Sequence, residues 1–342
     1  MRFKKILIQL ILLAFVILLA YFISLTRKKG EYISLAGFAQ GTTYHINYES
    51  KRGEKLQYLI DSLLADFDRS LSIYQPNSLI SRFNRNEPGT RADQKFSVIF
   101  NKSYEVYKKT GGAFDITVGP IVNALGFGST ETLNVDSTLI DSLLRYIGMD
   151  KVRLQDNVLV KEDKNIILDV NAIAQGFSVD LVAAFLEERK IKNYLVEIGG
   201  EVRAKGKNDR DQVWRVGIDK PVEGNMLPGA NLQAIVSLDN RSLATSGNYR
   251  KFYEKNGIKF VHTVNPKTGY PVISNLLSAT VVAHNCMTAD AYATAFMVFG
   301  VDKSIEFLKK NKFLDAYLIY ADKEGKFRVF ATKRLQKFIE VQ

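Results

Sequence analysis

Five short stretches of this 342-residue chain set polar residues and glycines into apolar runs, and chemistry is sought there. In Thr288-Ala289-Asp290-Ala291-Tyr292-Ala293-Thr294, Asp290 and Thr294 stand four apart, so a helix carries both on one face, a turn apart. A carboxylate and a hydroxyl among alanines suit a hard, oxygen-preferring cation such as Mg2+. The plainer reading is a first-turn helix acid and a threonine bonded back to its own turn. Residues 168–176, LDVNAIAQG, read as a strand end opening a helix, where backbone N–H groups attract anions. Asp169 there either faces the bound group or caps the helix. Residues 112–120, GAFDITVGP, hold Asp115 in an apolar run as a site acid or a turn residue. Residues 196–206, VEIGGEVRAKG, place Gly199-Gly200 between two strands, a β-turn unless a ligand approaches it. His262 ends a strand before the turn-rich residues 263–269, where catalytic groups often sit and where histidines also simply pack.

The elements that must position these residues follow from periodicity. Residues 36–48 read as a strand with a bend at Gly41, and residues 56–71 carry helical spacing. Turn formers break residues 74–90, and a helix over 96–110 ends at Gly111-Gly112. A strand over 165–170 leads into a helix bearing Val179, Val182, Ala183 and Leu186. Strands follow at 193–198, 202–205, 213–218, 232–238, 260–264 and 277–283, then helices over 289–299 and 302–310 and strands at 315–320 and 326–331. Without a regular βαβ alternation, the expected class is α+β.

Composition excludes several classes. With 46% hydrophobic and 24% charged residues the chain folds around a sizeable core, and its single cysteine makes no internal disulfide. Six of the eleven surplus positive charges lie in residues 1–29, which leaves a mild +5 elsewhere and no basic-aromatic run for nucleic acid. Phosphate-loop, dinucleotide-fold, G-x-S-x-G and H-E-x-x-H motifs are absent, and three histidines with one cysteine disfavour zinc. Residues 6–25 are apolar apart from Gln9 and Ser24, long enough for about 30 Å of hydrocarbon as an N-terminal transmembrane helix. Bulky Tyr21 and Phe22 follow Ala20, so an uncleaved anchor is favoured over a cleaved signal. The expected organisation is a membrane segment over residues 1–29 and one domain over 30–342. A short basic N-terminus normally stays in the cytoplasm, which puts that domain on the extracytoplasmic, periplasmic side of a bacterial inner membrane.

Taken in order, the motifs resemble the ApbE family of FAD:protein FMN transferases. The resemblance runs from about residue 41 to residue 300: GTTY at 41–44, SIYQPNSLISRFN at 72–84, GAFDITVGP at 112–120, LDVNAIAQG at 168–176, IGGEVRAKG at 198–206, ATSGNYRKF at 244–252, HTVNPKTG at 262–269 and ADAYATA at 289–295. It implies an α+β, T-fold-like architecture of mixed sheets with packed helices. It also implies Mg2+-dependent transfer of FMN from FAD to a threonine or serine hydroxyl of a partner flavoprotein, a membrane redox subunit, with AMP released. Asp290, Thr294 and the Ala172 carbonyl become the metal ligands and His262 the general base. FAD contacts fall on Gln40, Tyr74, Ala113, Phe114, Asp115, Asp169, Gln175 and Val264, with Tyr74 and Phe114 offering stacking surfaces. Gln40, Gln175 and Asn265 stand where many members carry methionine, lysine and aspartate. Two other activities share such a site: FAD pyrophosphatase, with water as the nucleophile, and FAD binding without catalysis.

Overall fold

The computed structural model describes residues 9–10, 12–18, 30–128, 136–222, 229–247, 252–255, 258–261 and 263–342. From residue 30 the elements are β1 (Glu31–Ala39), β2 (Thr42–Ser50), α1 (Gln57–Leu71), α2 (Leu79–Asn84), α3 (Gln94–Thr110), α4 (Gly119–Ala124), α5 (Ser137–Leu144), β3 (Val152–Gln155), β4 (Val158–Lys161) and α6 (Asn171–Glu188). They continue with β5 (Tyr194–Ile198), β6 (Glu201–Lys205), β7 (Trp214–Asp219), β8 (Leu232–Leu238), β9 (Arg241–Gly247), β10 (Phe252–Lys255), β11 (Ile258–Val261), β12 (Leu276–Ala283), α7 (Cys286–Lys310), β13 (Asp315–Ala321), β14 (Phe327–Ala331) and β15 (Ile339–Val341).

An eight-stranded sheet, ordered β1-β2-β5-β6-β9-β12-β13-β14, forms the middle layer, and every neighbouring pair in it is antiparallel. Alternate side chains of each strand point to opposite faces. Ala279 and Val281 of β12 and Ala316 and Leu318 of β13 therefore meet the helices, while Val282, Tyr317 and Ile319 face the other way. There they pack with Trp214, Val236 and Leu238 of the smaller β15-β8-β7 sheet. On the helical side, Tyr44, Ile46, Tyr194 and Val196 close over Ile60 and Leu64 of α1 and Val179 and Val182 of α6. The architecture is α+β, in three layers.

Two elements depart from the expectations in ways that matter for the site. Residues 166–170 are not a strand. Among the described residues no strand pairs with them; Asn84 clamps the segment instead, its Nδ2 donating to the Leu168 carbonyl (2.9 Å) while its Oδ1 accepts the Leu168 N–H (2.8 Å). The Asp169 N–H donates to the Ile116 carbonyl at 2.7 Å. The two helices expected after residue 288 are one run, α7, broken at Gly300, whose φ of 74° and ψ of 177° no helix tolerates. The strand expected at 260–264 ends at Val261, and Val264 makes only an isolated bridge to Pro271. Among the described residues no helix is long and apolar enough to cross a membrane; residues 9–10 and 12–18 are helical, and most of the apolar stretch 6–25 lies outside the described residues.

Candidate functional site

The site is organised around the crossing of α6 and α7. A Cβ added at Gly176 would fall 2.5 Å from the Cys286 carbonyl oxygen and 2.8 Å from Asp290 Cβ, so only glycine lets the helices come this close. At that contact the Gly176 N–H donates to Asp290 Oδ2 (3.0 Å). One turn further along α6, Asp180 accepts the Cys286 and Met287 N–H groups, each at 2.8 Å. The pairs 176/290 and 180/286 show that the helices run antiparallel here. The same register carried one turn the other way sets Ala172 opposite Thr294. The i→i−4 rule also gives the Ala172 carbonyl the Gly176 N–H as its partner, so this carbonyl and the Asp290 carboxylate converge on one donor.

Asp290 does not belong to the first helical turn. α7 begins at Cys286, three residues before the expected start, and Asn285 is its cap, accepting the Thr288 N–H at 3.0 Å. Asp290 therefore lies inside the second turn, buried, and the Gly176 N–H is its one hydrogen bond among the described residues. Burial raises its pKa to about 7. Thr294, half-buried, meets Ser246 Oγ of β9 at 3.2 Å. A buried carboxylate short of donors, beside a hydroxyl and a carbonyl, is a set of hard oxygens that fits a divalent cation. Among the described residues no three His, Cys, Asp or Glu side chains cluster as a metal site.

Around this crossing stand two β-turns. Gln40-Gly41, with φ of 55° and 74°, closes β1 and β2 as a two-residue hairpin, and Gly199-Gly200 closes β5 and β6 beside it, the Gly199 N–H donating to the Thr43 carbonyl at 3.0 Å. Gln175 lies against the second turn, where a Cβ on Gly199 would collide with its Nε2 at 1.9 Å. Ser178 Oγ donates to Gln40 Oε1 (3.0 Å) and lies 2.8 Å from the Gln175 carbonyl. Among the described residues the buried Gln40 Nε2 has no hydrogen-bond partner, a donor free for an acceptor.

At the start of α6, Asp169 Oδ1 accepts the Asn171 N–H (2.8 Å), and the Ile173 N–H goes to the Val170 carbonyl. The helix start thus engages protein acceptors more than the anion-site reading expects. Burial lifts the Asp169 pKa to about 6. Tyr74, 61% exposed, receives Asn171 Nδ2 at 3.2 Å, and burial of its hydroxyl, with the Asp169 charge next, raises its pKa. The 113–115 stretch is turned inward. Phe114 is 2% exposed within the core, so its ring is no stacking surface as folded. Asp115 accepts the Thr117 N–H (2.8 Å) and hydroxyl (2.6 Å) and the Met149 N–H (3.3 Å), which fits a turn residue. Val264 packs with Ile121, Val122 and Ile140. His262 lies outside the described residues. The structure thus brings Gln40 and Gln175 close to the Gly176–Asp290 contact, with Thr294 one turn along α7, Ala172 opposite it by the helix register, and Asp169 and Tyr74 at the helix start. It adds Ser178, Asp180 and Ser246, which their types and spacing did not single out.

Known proteins share this chain's sequence pattern and fold. Residues 40–318 match the model of the ApbE family. The FAD:protein FMN transferase of Haemophilus influenzae is 37% identical over 326 residues, covering 91% of this chain and 92% of its own. That of Vibrio cholerae is 34% identical, covering 91% and 94%. Among solved structures, the flavin transferase ApbE from Vibrio cholerae superposes with a TM-score of 0.81 at 32% identity, covering 90% of this chain and 99% of its own. The apo flavinyl transferase ApbE of Pseudomonas stutzeri gives 0.80 at 28%, covering 91% and 98%. On sequence and fold alike, this chain belongs to the ApbE family.

Proposed function

We propose that this protein is a Mg2+-dependent FAD:protein FMN transferase that modifies a threonine or serine hydroxyl of a partner flavoprotein. The observation that carries the reading is the α6–α7 crossing, where the buried Asp290 carboxylate meets the Gly176 N–H one turn of α7 from the Thr294 hydroxyl, in a chain whose relatives are named FAD:protein FMN transferases. Asp290, Thr294 and the Ala172 carbonyl would hold the Mg2+. When bound there it neutralises phosphate charge, so that a hydroxyl can approach a dinucleotide.

The chain's own residues do the rest. The two turns and Gln175 stand beside the crossing, and the Gln40 amide, without a partner among the described residues, offers a hydrogen bond to a flavin acceptor atom. Tyr74 supplies an exposed ring for stacking. His262 is the proposed base for the acceptor hydroxyl, a role resting on the family resemblance; such proton transfer is typically worth about 10²–10⁴-fold. The acceptor oxygen forms a bond to the FMN phosphorus, the pyrophosphate bridge breaks, AMP leaves with the bridging oxygen, and the hydroxyl proton passes to the base. We also propose that residues 6–25 hold the domain, residues 30–342, at the outer face of a bacterial inner membrane, beside membrane redox subunits.

The test is incubation with FAD, Mg2+ and an acceptor protein bearing a candidate threonine. The expected result is a fluorescent covalent adduct in a denaturing gel and one AMP per adduct. Chelation of Mg2+, or Asp290→Ala, should reduce transfer at least about 10³-fold. FMN and AMP without an adduct would identify a pyrophosphatase instead. Bound FAD with no product would identify a carrier.

A further inference from the structure

We propose that Asp180, held by Arg203, is a positioning residue that sets the register of the metal-binding helix; this rests on the reading of Asp290, Thr294 and Ala172 as the Mg2+ site. The start of α7 is buried, so its first N–H groups need protein acceptors. The accounting is complete. Cys286 and Met287 donate to Asp180, Thr288 donates to the Asn285 side chain, and Ala289 donates to the Asn285 carbonyl at 3.3 Å. Asp180 thus takes the first two donors from another helix, which ties α7 to α6 as well as capping it.

Arg203 completes the clamp. It projects from β6 on the helical side of the sheet, with Nη1 3.3 Å from Asp180 Oδ1 and 3.0 Å from the His284 carbonyl, which it also bonds. His284, the residue before the Asn285 cap, and the Asp180 carboxylate that takes the first two N–H groups are therefore held by one guanidinium. Tyr194, within 3.4 Å of Arg203 Nε, bonds Glu187 at 2.6 Å, and Lys205 reaches the same carboxylate at 3.1 Å. With both oxygens engaged by N–H groups and one by Arg203 as well, Asp180 is not itself poised as a ligand. Its effect reaches Asp290 through one rigid helical turn. Without it, Gly176–Asp290 is the remaining hydrogen bond between α6 and α7 among the described residues, the apolar packing around it is less directional, and the Ala172, Asp290 and Thr294 oxygens lose part of their common spacing.

The experiment compares the parent with Asp180→Asn and Arg203→Gln. An asparagine in place of Asp180 accepts from one N–H and turns its own NH2 toward the other. Two readouts are taken: the Mg2+ concentration giving half-maximal transfer, and the midpoint of the Mg2+-induced rise in melting temperature without FAD. We expect both to move upward about tenfold in Asp180→Asn and several-fold in Arg203→Gln, with kcat at saturating Mg2+ and KM for FAD nearly unchanged. Asp315→Asn is the control. It weakens the cluster that buried Asp315 makes with Arg241, Arg334 and Thr332 on the opposite face of the sheet, so it should lower the melting temperature without moving either midpoint. Variants that bind Mg2+ like the parent would overturn the positioning role, as would a loss of activity with unchanged midpoints. Should Asp180→Asn not fold, Arg203→Gln decides alone. A parent with no Mg2+ response at all would instead overturn the metal reading.

Discussion

Burying a carboxylate costs free energy unless donors or a cation replace the water it gives up, and the site's acids meet that cost differently. Asp115 has three donors from Thr117 and Met149, whereas Asp169 has one, from Asn171. Burial raises both to a pKa of about 6 from an ordinary 3.8. The native state therefore binds more protons than the unfolded chain between those values. The contribution is full below about pH 4 and is lost as pH rises through 6. Asp169→Asn keeps an acceptor for the Asn171 N–H and removes the charge. It should stabilise the protein at pH 7.5 by up to about 3 kcal/mol and very little at pH 4, with flavin transfer impaired. Urea unfolding at the two pH values checks this; an equal gain at both would show that the buried charge is not the cause. Asp115→Asn should bring no such gain, because an amide NH2 cannot accept from Thr117 or Met149. At this scale the sequence was a partial guide. The shared helix of Asp290 and Thr294 was legible because two polar residues at helical spacing among alanines are a local pattern. The inward turn of Phe114 was not, since an aromatic beside an acid reads alike whether it faces a ligand or the core.

Among the elements, the antiparallel pair α6 and α7 sets the site. Gly176→Ala gains about 1 kcal/mol of helix propensity, yet its methyl would lie 2.5 Å from the Cys286 carbonyl oxygen, which backbone cannot easily yield. The helices must separate, at a cost of about 1–3 kcal/mol. The variant should melt several degrees lower and need more Mg2+ for activity; a parent-like melting curve would show that the contact is slack. Helix ends with local signals were readable beforehand, as at Gly111, whose left-handed φ of 58° ends α3. The start of α7 was not, because Asp180 lies more than a hundred residues away and a lone acid on a helix reads as solvent-facing. Residues 165–170 misled for a related reason. Their apolar character suits a strand, but a strand exists only where a partner supplies the ladder, and here the Asn84 side chain and scattered bonds to the Ile116 carbonyl and Lys161 take that place.

For the molecule as a whole, the class was legible and the layering was not: α+β follows from the irregular mixture of elements, whereas the strand order depends on pairings far apart in the chain. The proposed division into anchor and domain makes a separate prediction. The full chain should stay with membranes through a high-salt wash, and a version lacking residues 1–29 should be released yet still modify a water-soluble acceptor at a rate within about threefold of the parent; release of the full chain by salt alone would remove the anchor. β1 adds a spatial consequence. Its nine residues form one margin of the large sheet and lead from Gly30 to Gln40, a run of about 30 Å. With residues 6–25 embedded as proposed, the length of this strand enters the distance between the tether and the Gln40 turn. A tethered enzyme of this build serves clients whose target hydroxyl travels within that radius, and a client holding it deeper in the bilayer goes unmodified however well its sequence fits.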